Sequence, residues 1–358
     1  MYHNRYLYNL ATDKAKGIRA GVLKAVLLVL SLVYGLLIRV ARSLQKLCAV
    51  RLDCTVISVG NITVGGTGKT ALVQTIARFL KSQGHVVCVL SRGFRKGGGN
   101  ECPATACETM GDEPCMISEN MPDIPVLVSP DRVSAAIRAI RQFKADTIIL
   151  DDGFQQWRLR KDLEVVTVDA SNPFGNRHML PRGLLRQPLS TLAEADVFVM
   201  TNSYEPRVSS DLRTSLVRIN PRAVIVEATH TASEYYPLAD RRRALSVEAL
   251  QGKSVVAFCG IGNPDSFKWT LENIGVSIAG WFSFPDHHPY TGEDIESLMH
   301  PHGGQAPSML VTTQKDAVRI PAGVREKYGR QIFVIAVDLD FKDEKKRFFD
   351  RLLRVYPV

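Results

Sequence analysis

Short apolar runs rich in β-branched residues recur along the chain, each closed by glycine, serine or aspartate. Residues 54–60 (CTVISVG), 85–90 (HVVCVL) and 147–150 (TIIL) are continuous rather than alternating. That is the pattern of strands buried on both faces. Between the first two, Leu72, Ile76, Phe79 and Leu80 fall at helical spacing within residues 71–82, an amphipathic helix. Strands and helical stretches alternate in this way from Val56 to about Val226. The alternation predicts an α/β fold with a parallel sheet sandwiched by helices. Residues 233–243, with Pro237 and three consecutive arginines, break the pattern. Residues 253–259 (KSVVAFC) then open a new strand that runs into Gly260-Ile261-Gly262-Asn263-Pro264. This is a tight turn before a helix and not a dinucleotide fingerprint, because the third glycine is missing. The expected organisation is an N-terminal apolar helix (1–50), a core α/β domain (51–235) and a second, smaller α/β domain (236–358).

The N-terminal apolar run, residues 22–38 (VLKAVLLVLSLVYGLLI), carries one charge, Lys24. As a helix it measures roughly 25 Å, at the lower edge of what a bilayer core requires. Lys14, Lys16 and Arg19 precede it, and Arg39, Arg42 and Lys46 follow it. The run starts late and Arg39 follows without a small-residue cleavage pattern, which excludes a signal peptide. A helix in the membrane interface, with basic side chains at the headgroups, is the expectation; a true span is the alternative.

Charge sharpens this reading. The net charge is +9, yet the first 51 residues hold nine Lys or Arg against one acidic residue, Asp13. A nucleic-acid binder spreads basic residues over its folded domain. Here they flank the apolar run, which points to an anionic membrane surface and not to nucleic acid. Seven cysteines, an odd number in a chain of this size, fit a reducing compartment. Cys102, Cys107 and Cys115 lie near one another without C-x-x-C spacing and do not read as a metal site.

The strand at 54–60 leads into Asn61-Ile62-Thr63-Val64-Gly65-Gly66-Thr67-Gly68-Lys69-Thr70 and then the helix. In this order of strand, glycine loop and helix, Gly65, Gly66, Thr67 and Gly68 let backbone N–H groups approach phosphate oxygens. Lys69 reaches the β- and γ-phosphates of ATP and the Thr70 hydroxyl binds Mg²⁺. The usual first glycine of such a loop is replaced by Thr63. Asp151 and Asp152 end the strand at 147–150, where P-loop proteins hold Mg²⁺ and its waters. Asp112, in 111–114 (GDEP), reads equally as a helix N-cap.

The stretches VGNITVGGTGKT, SRGF, GDEP, DDGFQ, LPRGLLR (180–186), FPDHHPY (284–290) and VTTQKDAVR (311–319) together resemble the tetraacyldisaccharide 4′-kinases over nearly the whole chain. The resemblance implies transfer of the γ-phosphoryl of ATP to the 4′-hydroxyl of an acylated glucosamine disaccharide. It implies a place on the cytoplasmic face of the bacterial inner membrane, with no obligate protein partner. It puts the proton-accepting role on Asp112 and its support on His287, with His288 adjacent. Arg92, Arg132, Arg182 and Arg186 are candidate contacts for ATP, the acceptor's 1-phosphate or headgroups, since guanidinium binds phosphate through two bonds. Relatives usually carry an acidic residue where this chain has Gln187, and a small residue where it has Arg182. With the expected boundaries, Asp112 and His287 fall on different domains, to be joined by closure on ATP. Two other classes remain open from the residues: a membrane-recruited P-loop ATPase switch, and a different P-loop small-molecule kinase.

Overall fold

The computed structural model describes residue 6 and residues 9–92, 110–203, 206–299 and 309–356. Cys102 and Cys107, and Gly93 and Phe94 of the SRGF stretch, lie outside them. In chain order the elements are α1 (Ile18–Leu47), β1 (Thr55–Gly60), α2 (Lys69–Ser82), β2 (Val87–Ser91), α3 (Asp112–Asn120), β3 (Val126–Val128), α4 (Arg132–Phe143), β4 (Thr147–Asp151), β5 (Leu163–Asp169), β6 (Val197–Thr201), α5 (Pro206–Ile219) and β7 (Val224–Glu227). They continue with β8 (Thr229–Pro237), β9 (Leu245–Ser246), β10 (Ser254–Cys259), α6 (Pro264–Ile274), β11 (Ser277–Ser283), α7 (Gly292–Met299), β12 (Leu310–Thr313), α8 (Gln314–Ala317), α9 (Ala322–Tyr328), β13 (Ile332–Asp340) and α10 (Lys345–Leu353).

The chain forms two compact units. One comprises Met1–Arg92, Asp123–Thr229 and Phe341–Val358; the other comprises Gly93–Pro122 and His230–Asp340. This differs from the expected boundaries in two places, for identifiable reasons. Helix α3 is held by side chains of the second unit: Gln314 donates to Asn120 Oδ1 and Lys315 to Glu113 Oε1. Helix α10 returns to the first unit. Phe348 and Leu352 are fully buried, Arg351 pairs with Asp196, and Glu344 takes the N–H of Glu227 and the guanidinium of Arg213.

The first unit is a seven-stranded sheet in the order β3-β2-β4-β1-β5-β6-β7, with parallel pairing throughout. Strands β2, β4 and β6 are buried at every position, which explains their unbroken apolar runs. On one face Val56, Cys88, Leu90, Ile148 and Leu150 pack against Ala135, Ala136 and Ala139 of α4. Helix α2 buries Leu72, Ile76 and Leu80 completely, each worth roughly 1.5–3 kcal/mol. A Cβ on Gly60 would stand 2.5 Å from Phe154 Cβ and 2.6 Å from its N, so β1 can pass the DDGFQ turn only as glycine.

Helix α1 runs beyond the expected 17 apolar residues to 30. One stripe of it is fastened to the first unit. The Ser31 hydroxyl donates to Met179 O and accepts from Arg182 N, Tyr34 donates to Arg186 O, and Arg42 and Lys46 pair with Glu194. Most of the rest faces outward and is apolar, including Val22, Val29, Leu32, Leu36, Leu37, Val40 and Leu44, with Arg19 and Arg39 exposed beside it.

The second unit is a mixed six-stranded sheet, β11-β10-β12-β13-β8-β9. Strands β11, β10, β12 and β13 are parallel, and β9 closes the edge antiparallel to β8. The turn after β10 ends in Asn263, whose side chain accepts from Ser266 N and caps α6, with Pro264 in its first turn. Cys48, Cys54, Cys88 and Cys259 are free. Cys115 is disulfide-bonded.

Gly60→Ala is expected to destabilise the protein by about 1–3 kcal/mol through overpacking. Urea unfolding followed by circular dichroism measures it; an unchanged midpoint would show that the Phe154 turn can retreat.

Candidate active site

In the first unit, Gly65 and Gly68 hold positive φ of 129° and 80°, conformations that favour glycine. A Cβ at Gly65 or Gly66 would meet nothing within 4 Å, so these two glycines leave space beside the backbone for a ligand. The loop is pinned from behind. Val64 N donates to Leu184 O, Arg186 N to Ile62 O, and the Gln155 amide to Asn61 O. Thr63 pairs with Leu185 in an antiparallel bridge, which accounts for a β-branched residue where such loops usually start with glycine. The Thr67 hydroxyl meets that of Thr167 at 2.7 Å, and Thr201 donates to Thr67 O.

Gly68 caps α2 and supplies no side-chain acceptor to the first-turn N–H groups. They stand at the positive end of a helix that has no side-chain cap, the arrangement that accepts an anion. Helix α4 differs: Asp131 accepts from Val133 N and Ser134 N, so its end is already satisfied.

The charges around the loop are unbalanced toward positive. Lys69 Nζ lies 3.6 Å from Asp152 Oδ1, and Arg186 donates to Asp152 Oδ2 at 2.7 Å and to Gln155. Burial alone would keep the Asp152 proton on, but Lys69 and Arg186 outweigh it and hold the carboxyl below its ordinary range. Asp151 is buried and accepts from Ser91. Arg132 is buried too and donates to Ser129 O. Its burial, with the like charge of Arg92 adding to it, brings its guanidinium down to about 10 against the pull of Asp151 and Asp152. Among the described residues four cations, Lys69, Arg92, Arg132 and Arg186, thus stand by two carboxylates, a surplus that phosphate oxygens would neutralise. The Thr70 hydroxyl and the carboxylates of Asp151 and Asp152 are hard oxygen donors of the kind Mg²⁺ takes.

Arg182 is engaged elsewhere. It donates to Leu10 O and to Asp13 Oδ1, and Asp13 also pairs with Lys24. It ties the N-terminal segment to the LPRGLLR loop and is not presented to an anion. Gln187 is buried, and its Nε2 has no hydrogen-bond partner among the described residues.

In the second unit, Gly111, with φ 85°, is the cap of α3, and Asp112 is its first residue. Asp112 therefore does not cap. Its Oδ2 meets His287 Nδ1 at 3.1 Å and accepts from Arg319 Nε at 2.6 Å. The His287 bond, with Arg319 behind it, holds the Asp112 carboxyl down to about 2 against the cost of burial. An ionised carboxylate only accepts, so Nδ1 carries the imidazole proton. The same bond raises His287 above its ordinary value. His288 turns away: it bonds Asp294 and stacks on Phe284. His287 keeps a positive φ of 59°, with its N–H on Gly260 O. The dyad is thus complete within one unit, and no closure is needed to form it. Sequence reading missed Arg319, although it closes the VTTQKDAVR stretch; its partner lies 207 positions away.

The chain matches the family model described as tetraacyldisaccharide-1-P 4′-kinase over residues 23–356. The chain belongs to the tetraacyldisaccharide 4′-kinase family. A tetraacyldisaccharide 4′-kinase of Halothermothrix orenii is 34% identical over 365 residues, covering 94% of each chain. One of Syntrophobacter fumaroxidans is 36% identical over 348 residues, covering 94% of this chain and 90% of its own. Among solved structures, LpxK from Aquifex aeolicus in complex with ATP superposes with a TM-score of 0.72 at 26% identity, over 94% of this chain and all of that one. The chain is accordingly a kinase on a P-loop NTPase-like parallel sheet, with a second mixed sheet and one N-terminal apolar helix.

Because Asp112 raises His287, Asp112→Asn should lower the imidazole pKa toward its ordinary range. Histidine-labelled NMR titration checks this; an unchanged His287 would mean that the bond to Asp112 does not persist in solution. Lys69→Ala should abolish nucleotide-dependent turnover, and residual turnover within tenfold of the parent enzyme would argue against its phosphate contact.

Proposed function

We propose that this kinase transfers the γ-phosphoryl of ATP to the 4′-hydroxyl of a tetraacyldisaccharide 1-phosphate, the reaction for which its family is named. The observation that carries the reading is the Asp112–His287 bond: residues of GDEP and PDHHPY, 175 positions apart, meet as one acid–base pair. A sugar hydroxyl is a weak nucleophile, and phosphoryl transfer rests on positioning, charge neutralisation and a carboxylate for the proton. Gly65, Gly66, Thr67 and Gly68 receive the phosphates with their backbone N–H groups, and Lys69, Arg92, Arg132 and Arg186 supply positive charge. Thr70, Asp151 and Asp152 hold Mg²⁺, which when bound offsets charge on the transferring phosphoryl. Asp112, ionised throughout the neutral range, takes the acceptor proton, and His287 orients it.

The acceptor is a lipid, and α1 supports access to it. The helix is long and apolar enough to cross a membrane. Yet Lys24, Ser31, Tyr34, Arg42 and Lys46, spread over most of its length, all bond the folded first unit. A helix fastened lengthwise to a polar domain cannot also be surrounded by hydrocarbon. We read it as lying in the interface of the cytoplasmic leaflet, its outward Val and Leu face in the acyl boundary. The ATPase-switch alternative needs neither Asp112–His287 nor a lipid acceptor, and the relatives do not favour it.

Incubation of detergent-solubilised protein with Mg·ATP and tetraacyldisaccharide 1-phosphate should yield one added phosphoryl group by mass spectrometry. Asp112→Asn should lower kcat by about 10²-fold or more, as for a lost general base, with little change in the ATP KM. ATP hydrolysis without lipid product would reject the acceptor. Separately, Leu32→Glu with Leu36→Glu should shift the protein from the pelleted to the soluble fraction of anionic vesicles; unchanged sedimentation would remove α1 as the membrane contact.

A further inference from the structure

Arg319 has no part in the reading above, and its surroundings call for one. Its side chain is 4% exposed, and each guanidinium nitrogen points to a different neighbour. Nε donates to Asp112 Oδ2 at 2.6 Å. Nη1 donates to Gly260 O at 2.8 Å and lies 3.3 Å from Asp316 Oδ1. Nη2 lies 3.4 Å from His287 Nδ1. His287 Nδ1 itself approaches the same Asp112 oxygen, Oδ2. Both polar neighbours therefore converge on one carboxylate oxygen, and Oδ1 accepts no hydrogen bond among the described residues.

We propose that Arg319 is a positioning residue for phosphoryl transfer: with His287 it saturates Oδ2 of Asp112 and leaves Oδ1 as the oxygen that takes the acceptor's proton. The inference rests on the reading of Asp112 as the base. In the step, the acceptor O–H bond breaks and its proton goes to Oδ1. The electron pair of that bond forms the new O–P bond, and the bond from the γ-phosphorus to the bridging oxygen breaks with its pair leaving on ADP. The proton then passes to solvent, since the Asp112 side chain is 36% exposed.

The rest of the pocket is built to hold the guanidinium. Asp316 is fully buried. Its Oδ1 accepts from Gly260 N at 2.9 Å and Tyr290 Oη at 3.0 Å, and its Oδ2 from Thr313 Oγ1 at 2.6 Å. Asp316 is thus fixed on three sides before it meets Arg319. A planar fork with donors in several directions can span Asp112, Gly260 O and Asp316 at once; a lysine ammonium on a flexible stem cannot. A carboxylate turns about its last torsion unless something holds it, and a base misplaced by about 1 Å can cost on the order of 100-fold in rate. A brace for the fold alone would not need to meet the same oxygen that His287 uses. The charged groups around Asp112 are His287 and Arg319, Glu113 with its partner Lys315, Asp286 beside His287, and Asp316 behind Arg319.

The test compares Arg319→Gln, Arg319→Lys, Asp112→Asn and the Asp112→Asn/Arg319→Gln double variant as full chains in detergent, with Mg·ATP and tetraacyldisaccharide 1-phosphate. Arg319→Gln should lower kcat about 100-fold and leave the ATP KM within about threefold, as for an interaction expressed in the transferring step. With the positive charge gone, the Asp112 carboxyl rises, so the low-pH limb of kcat moves to higher pH. Arg319→Lys keeps the charge, so its limb stays near that of the parent enzyme while kcat falls by about tenfold. The double variant should be no slower than Asp112→Asn alone, because groups acting as one unit are not additive. Parent-level kcat in Arg319→Gln, an unmoved limb, or a loss multiplied on top of Asp112→Asn would overturn the proposal. If Arg319→Gln fails to fold, Arg319→Lys decides, and parent-level kcat there overturns it. Asp112→Asn at parent-level kcat would instead sink the base assignment itself.

Discussion

A carboxylate serves as a directed base only if something fixes which oxygen is free, and here one oxygen of Asp112 carries both fixing contacts. Much of the second unit follows from that constraint. Asp112 opens a helix capped by a glycine and not by its own side chain. The loop after β10 places Gly260 O where it receives both Arg319 and the His287 N–H. The short helix after β12, capped by Thr313, carries Lys315 to Glu113, and Arg319 follows just beyond it to meet Asp112. The contacts that position Asp112 are therefore joined by those that hold residues 112–120 to this unit.

The first unit solves a different electrostatic problem. Buried strands that end together bring Asp151, Asp152, Arg132 and Lys69 into a region with little water, where charge must be matched closely. Asp152 stays ionised because Lys69 and Arg186 outweigh its burial. Among the described residues a cationic surplus remains beside the loop. Helix α2 adds its uncapped N-terminus to the same surplus.

Helix α1 is apolar on one side and fastened to the first unit on the other. Its polar stripe is used on the folded unit, through Ser31, Tyr34, Arg42 and Lys46, so what remains for the surroundings is mostly apolar, with Arg19 and Arg39 exposed toward its two ends. Arg182 belongs to this fastening through Asp13 and Leu10. Its place in a motif had suggested an anion contact, but its partners lie in the N-terminal segment.

Local pattern determined a good deal. Unbroken β-branched runs marked β1, β2 and β4 because strands covered on both faces have no polar side to show. The glycine loop between β1 and α2 was legible because its pattern is contained in ten consecutive residues. The apolar stripe with basic flanks marked the N-terminal apolar helix, though not its 30-residue length. Only the tertiary structure decided what depended on residues distant in sequence. No periodicity reveals that α3 leaves the first unit or that α10 returns to it, since both depend on which surfaces find partners. Whether Asp112 would cap a helix or face His287, and whether Arg182 and Arg319 would meet phosphate or carboxylate, turned on contacts between residues up to 207 positions apart. A side chain's charge is written in the sequence; the neighbour that sets its use is supplied by the fold.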